Sequence, residues 1–248
     1  MSATVYDQHA EFYVAFVDQG LERQGGADVA CRTIVDLVGD RIAGARVCDL
    51  CCGEGYVGRH LLTLGAREVV GIDLSEALIE VARRRAPDGP ISYRVDDASR
   101  LDSVPDGAFD IVVSQLAMMD VADHRGLFAA VRRALSPGGA FVFSMLHPCF
   151  EGRPFHVPDA PPHLLDDAGK PVGLVVRRYA SEGKWNSGGD GVRGRMSAYH
   201  RTLATYVNDL LAAGFALERL EEPLAGPVSI SEMFAEVPTV LVIAARAT

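Results

Sequence analysis

The sequence predicts an α/β protein, a mostly parallel sheet carrying helices on both faces. Three observations predict it. Apolar runs of strand length alternate with amphipathic runs of helix length as far as Leu146, which implies parallel strands joined by right-handed crossovers. The run Asp-Leu-Cys-Cys-Gly-Glu-Gly at 49–55 puts glycines at the first strand-to-helix junction, where a ligand meets open backbone N–H groups. Two further apolar runs, Phe215–Leu220 and Thr239–Ala245, close the chain as strands.

Each element has its own signal. Residues 5–18, with Tyr6, Phe12, Tyr13 and Phe16 among acids, predict an N-terminal helix, and Ala27–Val38 a second. Arg46–Leu50 reads as a buried strand, and Gly53-Glu-Gly-Tyr-Val-Gly58 as a tight turn opening the helix Val57–Leu64. Glu68–Asp73 is a second strand ending in an acid, and Ser75 is placed to cap a helix over Glu76–Arg85. Ile91–Val95 ends in Asp96-Asp97-Ala98, and Phe109–Ser114 leads into the loop Gln115–Met119. A helix containing Leu127–Leu135 and the pair Gly138-Gly139 precede a fifth strand, Ala140–Leu146. His147-Pro-Cys-Phe150 breaks this alternation. The stretch that follows is rich in Pro, Gly and Asp, with Leu174–Val176 its clear apolar run. So long a segment at the carboxyl edge of a sheet reads as a cap over a substrate, anchored by Trp185, Phe155 and Tyr179. Thr202–Ala213 resumes as a helix ending at Gly214. One domain over 1–248 is expected: a helical lid at 1–40, a binding core at 45–147, a cap at 148–200 and a final helix and hairpin at 201–248.

Composition narrows the class of function. The net charge of −9 argues against nucleic acid, whose phosphates reward basic patches. Arg83–Arg85 and Arg132-Arg133 read as solvated helix faces. No apolar span is long enough to cross a membrane, and no basic-then-apolar leader opens the chain, so a cytoplasmic protein is expected. Five cysteines fit a reducing compartment. Cys48 and Cys51 have metal-ligand spacing, but there is no second pair and Cys48 lies within a strand, so no metal site is expected.

Gly53-x-Gly55-x-x-Gly58, with Asp73 at an interval of about 20 residues, also matches a dinucleotide fingerprint. The sign of the charges counts against that ligand. Glu54 and Asp49 would crowd a pyrophosphate, whereas a cationic ligand gains from acidic neighbours. With its acid at the strand end, the motif resembles motif I of the class I S-adenosylmethionine-dependent methyltransferases, Asp-x-Gly-x-Gly-x-Gly. Cys51 stands where the first glycine is usual. The resemblance implies a Rossmann-like seven-stranded, mostly parallel sheet with an antiparallel final hairpin, and S-adenosyl-L-methionine as cofactor. It implies contacts from Asp49, Cys51 and Gly53 in the turn, from Asp73 with Leu74 on the ribose, and from Asp97 with Ala98 on the adenine. Ser114 is expected at the methionine end, and Tyr6 and Tyr13 on a lid closing over the cofactor.

The reaction expected is in-line displacement of the sulfonium methyl by a small-molecule acceptor, a natural product or metabolite. His147, leaving the fifth strand beside the expected methyl, is the first candidate base, with His200 and Tyr199 next. A histidine satisfied by backbone at the strand-to-loop turn accounts for His147 equally well. Asp120 and His124 either line the same mouth or start a helix. The Asn/Asp-Pro-Pro-Tyr tetrapeptide for planar nitrogens is absent, the chain reading Ser114-Gln115-Leu116-Ala117 there. A non-catalytic cofactor binder and a NAD-dependent oxidoreductase are the competing readings.

Overall fold

Asp49 and Cys48 are neighbours in sequence and point to opposite faces of one strand, and the whole sheet is built on that alternation. The computed structural model describes residues 3–26, 28–150, 163–224 and 236–248. Its parallel strands are β1 (Arg46–Leu50), β2 (Glu68–Asp73), β3 (Ile91–Val95), β4 (Phe109–Ser114) and β5 (Leu135–Leu146). The helices along this part are α1 (Val5–Gln8), α2 (Ala10–Arg23), α3 (Val29–Val38), α4 (Tyr56–Thr63), α5 (Glu76–Arg85) and α6 (His124–Ala134). Beyond β5 come two small antiparallel pairs, β6 (His163–Leu165) with β7 (Pro171–Leu174) and β8 (Gly183–Trp185) with β9 (Ala198–His200). Between the strands of the second pair lies α7 (Val192–Arg195), and α8 (Leu203–Ala212), β10 (Phe215–Glu221) and β11 (Val240–Ala247) complete the chain. Seven strands share one sheet in the order β10-β11-β5-β4-β1-β2-β3, with β11 antiparallel to both β5 and β10. The direction of winding reverses between β1 and β4, so a crevice opens at their carboxyl ends.

Apolar side chains cover both faces. Val47, Val69, Ile111, Val113 and Val142 pack under Ile34 of α3 and Leu61 of α4. On the other face Cys48, Leu50, Val112, Phe141 and Phe143 meet Phe128 of α6 and Tyr206 of α8. The helix caps are those the sequence carries: Ser75 accepts from the Leu78 N–H, Asp28 from Cys31, and Thr202 from Thr205.

Four expectations need correcting. The N-terminal helix is two helices, because His9 leaves helical geometry at φ −124°. β5 is paired with β4 from Leu135 onward, with an irregular register between Phe109 and Ile111 where the glycine pair turns. The region after Leu146 contains two strand pairs and a helical turn, while residues 151–162, with Phe155, lie outside the described residues. The arginine pairs are staples between elements: Arg85 binds Asp18 and Glu54, and Arg133 binds the carbonyls of Arg100, Leu101 and Val104.

Phe128 is fully buried, meeting Phe141 edge to face and Phe143 at a tilt, with centroids 6.3 and 5.9 Å away. Phe128→Ala is expected to cost about 3–5 kcal/mol in denaturant titration, as for other buried aromatics. A loss below about 1 kcal/mol would mean that α6 is not clamped on the sheet in this way.

Candidate active site

The turn from β1 to α4 is held by two carboxylates rather than by side chains of its own. Asp49, almost wholly buried, accepts the Gly58 N–H at 2.8 Å, tying the strand to the first turn of α4. Asp73, at the end of β2, accepts the Gly53 N–H at 2.9 Å through Oδ2 and the Ser75 N–H at 2.9 Å through Oδ1. Cys51, Gly53 and Gly55 all have left-handed backbones, with φ of 57°, 54° and 84°. The cost of Cys51 in place of glycine therefore lies in its backbone. Gly55 is required twice: a Cβ there would lie 2.6 Å from the Tyr93 ring, whose hydroxyl donates to the Gly55 carbonyl at 3.3 Å.

A cavity of about 440 Å³ opens over this turn. Tyr6, Tyr13, Cys51, Gly53, Asp73, Leu74, Asp97 and Ala98 all line it, as eight of the ten expected cofactor residues. Asp97 turns one oxygen to the Ser99 N–H at 2.9 Å and its hydroxyl at 2.7 Å, while Asp96 folds back onto Ser103. Asp49 instead lines a second cavity of about 330 Å³ beside the first. Ser114 lines neither; it is fully buried and its hydroxyl has no partner. At the end of β4 the residues that reach the cavities are Gln115 and Leu116, which border both. Tyr13, Cys51 and Gly53 complete that shared wall.

Two segments roof the larger cavity. Asp7 accepts from the Ser75 hydroxyl at 2.6 Å and the Ala77 N–H at 3.1 Å, locking α1 to the start of α5. These bonds outweigh partial burial and hold its carboxyl at about 2. Tyr6 and Tyr13 meet edge to face, 5.2 Å between centroids. From the cap, Arg193 forms a two-point ion pair with Asp120, one contact being 3.1 Å, and the Tyr6 hydroxyl bonds the same carboxylate. Arg195 lies 4.5 Å over the Phe12 ring, so cap and lid touch directly.

The candidate bases stand elsewhere. His147 is buried with both ring nitrogens engaged, by Glu222 at 2.8 Å and by the Cys149 N–H at 3.2 Å. His200 Nε2 bonds the Tyr179 carbonyl at 2.8 Å, and Tyr199 lies under the Arg201 guanidinium. His200 and Tyr199 border a void of about 20 Å³, room for about one water. None of the three lines either larger cavity. Histidine next to a strand end signals proximity but not direction, and these two rings turn inward to anchor the cap. His124 likewise joins α6 to α8 through Asp209 at 2.7 Å. The cap aromatics are spent the same way: Trp185 is buried in the core, and the Tyr179 hydroxyl accepts the Leu203 N–H. Asp120, of the two residues weighed beside the mouth, does line the cavity.

The site holds more negative charge than it neutralises. Glu54 is met by Arg59 at 2.7 Å and Arg85 at 2.9 Å, so its charge is no obstacle to a phosphate. The pressure comes from the other acids. Burial, with the Asp73 and Glu54 carboxylates nearby, pushes Asp49 up to about 7. Burial also raises Asp73, with Asp7 and Asp120 adding to it. It raises Asp120 too, against the pull of Arg193. Such a site favours a ligand that brings positive charge.

Comparison with known proteins agrees with this geometry. Residues 48–143 match the model of a methyltransferase domain family. A solved S-adenosylmethionine-dependent methyltransferase from Mesorhizobium loti is 34% identical, with a TM-score of 0.75, over 90% of this chain and 99% of that one. N-demethylindolmycin N-methyltransferase of Streptomyces griseus is 28% identical over 73% of this chain and 75% of its own. A ubiquinone biosynthesis O-methyltransferase of Xanthomonas oryzae pv. oryzae is 35% identical over 43% of this chain and 45% of its own. The chain belongs to the class I S-adenosylmethionine-dependent methyltransferases, and its cofactor is S-adenosyl-L-methionine.

Gly55→Ala forces a side chain into a left-handed backbone and against Tyr93. The expected loss is at least about 1–2 kcal/mol of stability, read by denaturant titration. An unchanged midpoint would show that the turn does not need this glycine.

Proposed function

We propose that this methyltransferase acts on a small molecule, with Asp73, Leu74, Asp97 and Ala98 holding the adenosine part of the cofactor. Asp49, Cys51 and Gly53 face its methionine end, and Tyr6 and Tyr13 cover it. The observation that carries this reading is the roofed cavity of about 440 Å³, with one carboxylate at the end of β2 and another just beyond β3. Its size falls within the range usual for small-ligand sites, and its unneutralised acids fit a sulfonium and an ammonium. When bound, the cofactor supplies an electrophilic methyl on a positively charged sulfur. The protein's own residues orient the reactants and exclude water: Asp73 fixes the turn, and Tyr6, Asp120 and Arg193 close the roof. An enclosed site and a net charge of −9 favour a metabolite or natural product over nucleic acid. The relatives named above, with acceptors in indolmycin and ubiquinone biosynthesis, support the same class. Among the described residues no helix is long and apolar enough to cross a membrane, which fits the proposed cytoplasmic setting.

Calorimetry on Asp73→Ala tests the cofactor assignment. Loss of a charged acceptor, at about 1.5–3 kcal/mol per hydrogen bond, predicts at least about a tenfold weaker Kd for S-adenosylmethionine. Because Asp73 also holds the Gly53 N–H, thermal stability should fall with it. Unchanged affinity would remove the ribose role.

Proton release gives a second test. Asp49 is raised to about 7 in the folded chain, so near neutrality it is partly protonated. A cationic ligand favours its ionised form and expels that proton. Affinity for S-adenosylmethionine should therefore rise between about pH 6 and 8, and less so for the demethylated product, which lacks the sulfonium charge. Titrations in buffers of different ionisation enthalpy measure the release; none at pH 7 would detach Asp49 from the cofactor.

A further inference from the structure

Asp120, in the turn after β4, belongs to neither segment of the roof, yet both end on it. From the cap, Arg193 spans its two oxygens, one contact being 3.1 Å. From the lid, the Tyr6 hydroxyl bonds the same carboxylate. The two charged side chains are only 16% and 15% exposed, so water screens the pair little. A two-point contact between guanidinium and carboxylate also fixes the plane of the acid. Arg193 thereby aims the oxygen that receives the Tyr6 hydroxyl.

The arginine arrives on a stiff support. α7 is part of a tight knot between β8 and β9. The Asn186 side chain donates to the Gly194 carbonyl at 2.9 Å and accepts the Gly188 N–H at 2.8 Å. The Arg193 carbonyl accepts the Ser187 N–H at 3.0 Å. A Cβ on Gly194 would fall on the Gly189 carbonyl, so the knot closes only around glycine. Trp185 and Met196, both buried, root it in the core. Arg195, on the same turn, lies over the Phe12 ring of α2. One rigid turn thus grips the lid at two places, through Asp120 and directly. Tyr6 and Asp120 border the larger cavity, whereas Arg193 borders neither.

We infer that Asp120 is a positioning residue that couples cap to lid: seating of the Val192–Arg195 turn and closure of Tyr6 over the cofactor are one event. The inference rests on the cofactor reading above and adds what decides how long the cofactor stays. Such coupling is reciprocal. A seated cap turn slows cofactor release, and a bound cofactor steadies the cap turn.

The test uses the full chain, with displacement kinetics for S-adenosylmethionine and for its demethylated product. Wild-type binding comes first, and its absence would sink the methyltransferase reading rather than this one. Arg193→Met should release both compounds at least about tenfold faster, because truncating one partner of a buried pair acts on the off-rate. Tyr6→Phe should speed release about fivefold, the worth of one hydrogen bond. The double variant should be no more than about twofold faster than the faster single, since both changes undo the same closure. Arg193→Lys, which keeps the charge without the two-point fit, should fall between wild type and Arg193→Met. Hydrogen exchange reads the reverse direction. Cofactor should slow exchange in peptides covering 192–196, and Tyr6→Phe should abolish that slowing, which a merely structural tyrosine would leave alone. Should Arg193→Met fail to fold, Arg193→Lys with Tyr6→Phe runs the same cycle. Release rates that multiply in the double variant would overturn the inference, as would cap protection that survives Tyr6→Phe. Slower release of S-adenosylmethionine but not of its product from Arg193→Met would also overturn it, reducing Arg193 to a charge that repels the sulfonium.

Discussion

Two carboxylates at the ends of adjacent strands each accept a hydrogen bond from a backbone N–H of the same turn, and the site is organised around those bonds. Asp49 reaches Gly58 and Asp73 reaches Gly53, at 2.8 and 2.9 Å. Without them a chain with left-handed residues at 51, 53 and 55 has little to hold its course. Charge-assisted bonds of this kind are worth about 1.5–3 kcal/mol each, enough to fix the turn before any ligand arrives. They also concentrate charge. Glu54 and Asp120 find arginines, but among the described residues Asp49 and Asp73 have no ion-pair partner. The fold therefore carries a local excess of negative potential, and a cationic cofactor is the group that relieves it.

The same acids organise the cover. Asp7 sits at the amino end of α5, where its charge meets the helix dipole and two donors, and this brings Tyr6 and Tyr13 over the turn. Asp120 meets Tyr6 from the lid and Arg193 from the cap, so two segments far apart in sequence converge on one carboxylate. α2 buries none of its side chains fully, although its aromatic face borders the second cavity. Held by the Arg85–Asp18 ion pair, the Arg195–Phe12 contact and half-buried aromatics rather than by fully buried side chains, this helix can part from the sheet at low cost, as exchange of a covered cofactor requires.

How much was legible in the sequence follows from the range of the interactions. The first four parallel strands and the cap at Ser75 are set by residues within a few positions, and they stand where the sequence puts them. Acids at strand ends beside a glycine turn were legible for the same reason. The histidines were not. Whether a ring at a strand end faces a cavity or the core depends on partners far along the chain: Glu222, 75 residues from His147, and the Tyr179 carbonyl, 21 from His200. Gln115 was legible as part of the loop after the fourth strand, but its orientation was not, because it is set by Asp28, 87 residues earlier. The break at His9 and the strand pairs of the cap have equally weak local signals, since short strands without alternation look like loops.

Cys51 shows how a departure from a motif can be accommodated by the same physics. A β-carbon in the left-handed region costs about 1 kcal/mol or more, a cost glycine avoids. Two features offset it. The turn is held on both sides by Asp49 and Asp73, so the backbone has no freedom to relax away. The side chain also packs against the buried core, recovering apolar contact that glycine could not make. Burial beside these acids keeps the thiol far above its ordinary pKa, hence neutral and weakly reactive. An uncharged, polarizable sulfur on the wall common to both cavities adds no charge to a turn already bordered by acids. A larger side chain would intrude on that wall, and an acidic one would add to a surplus of negative charge, so a small neutral residue suits the position even without glycine's freedom.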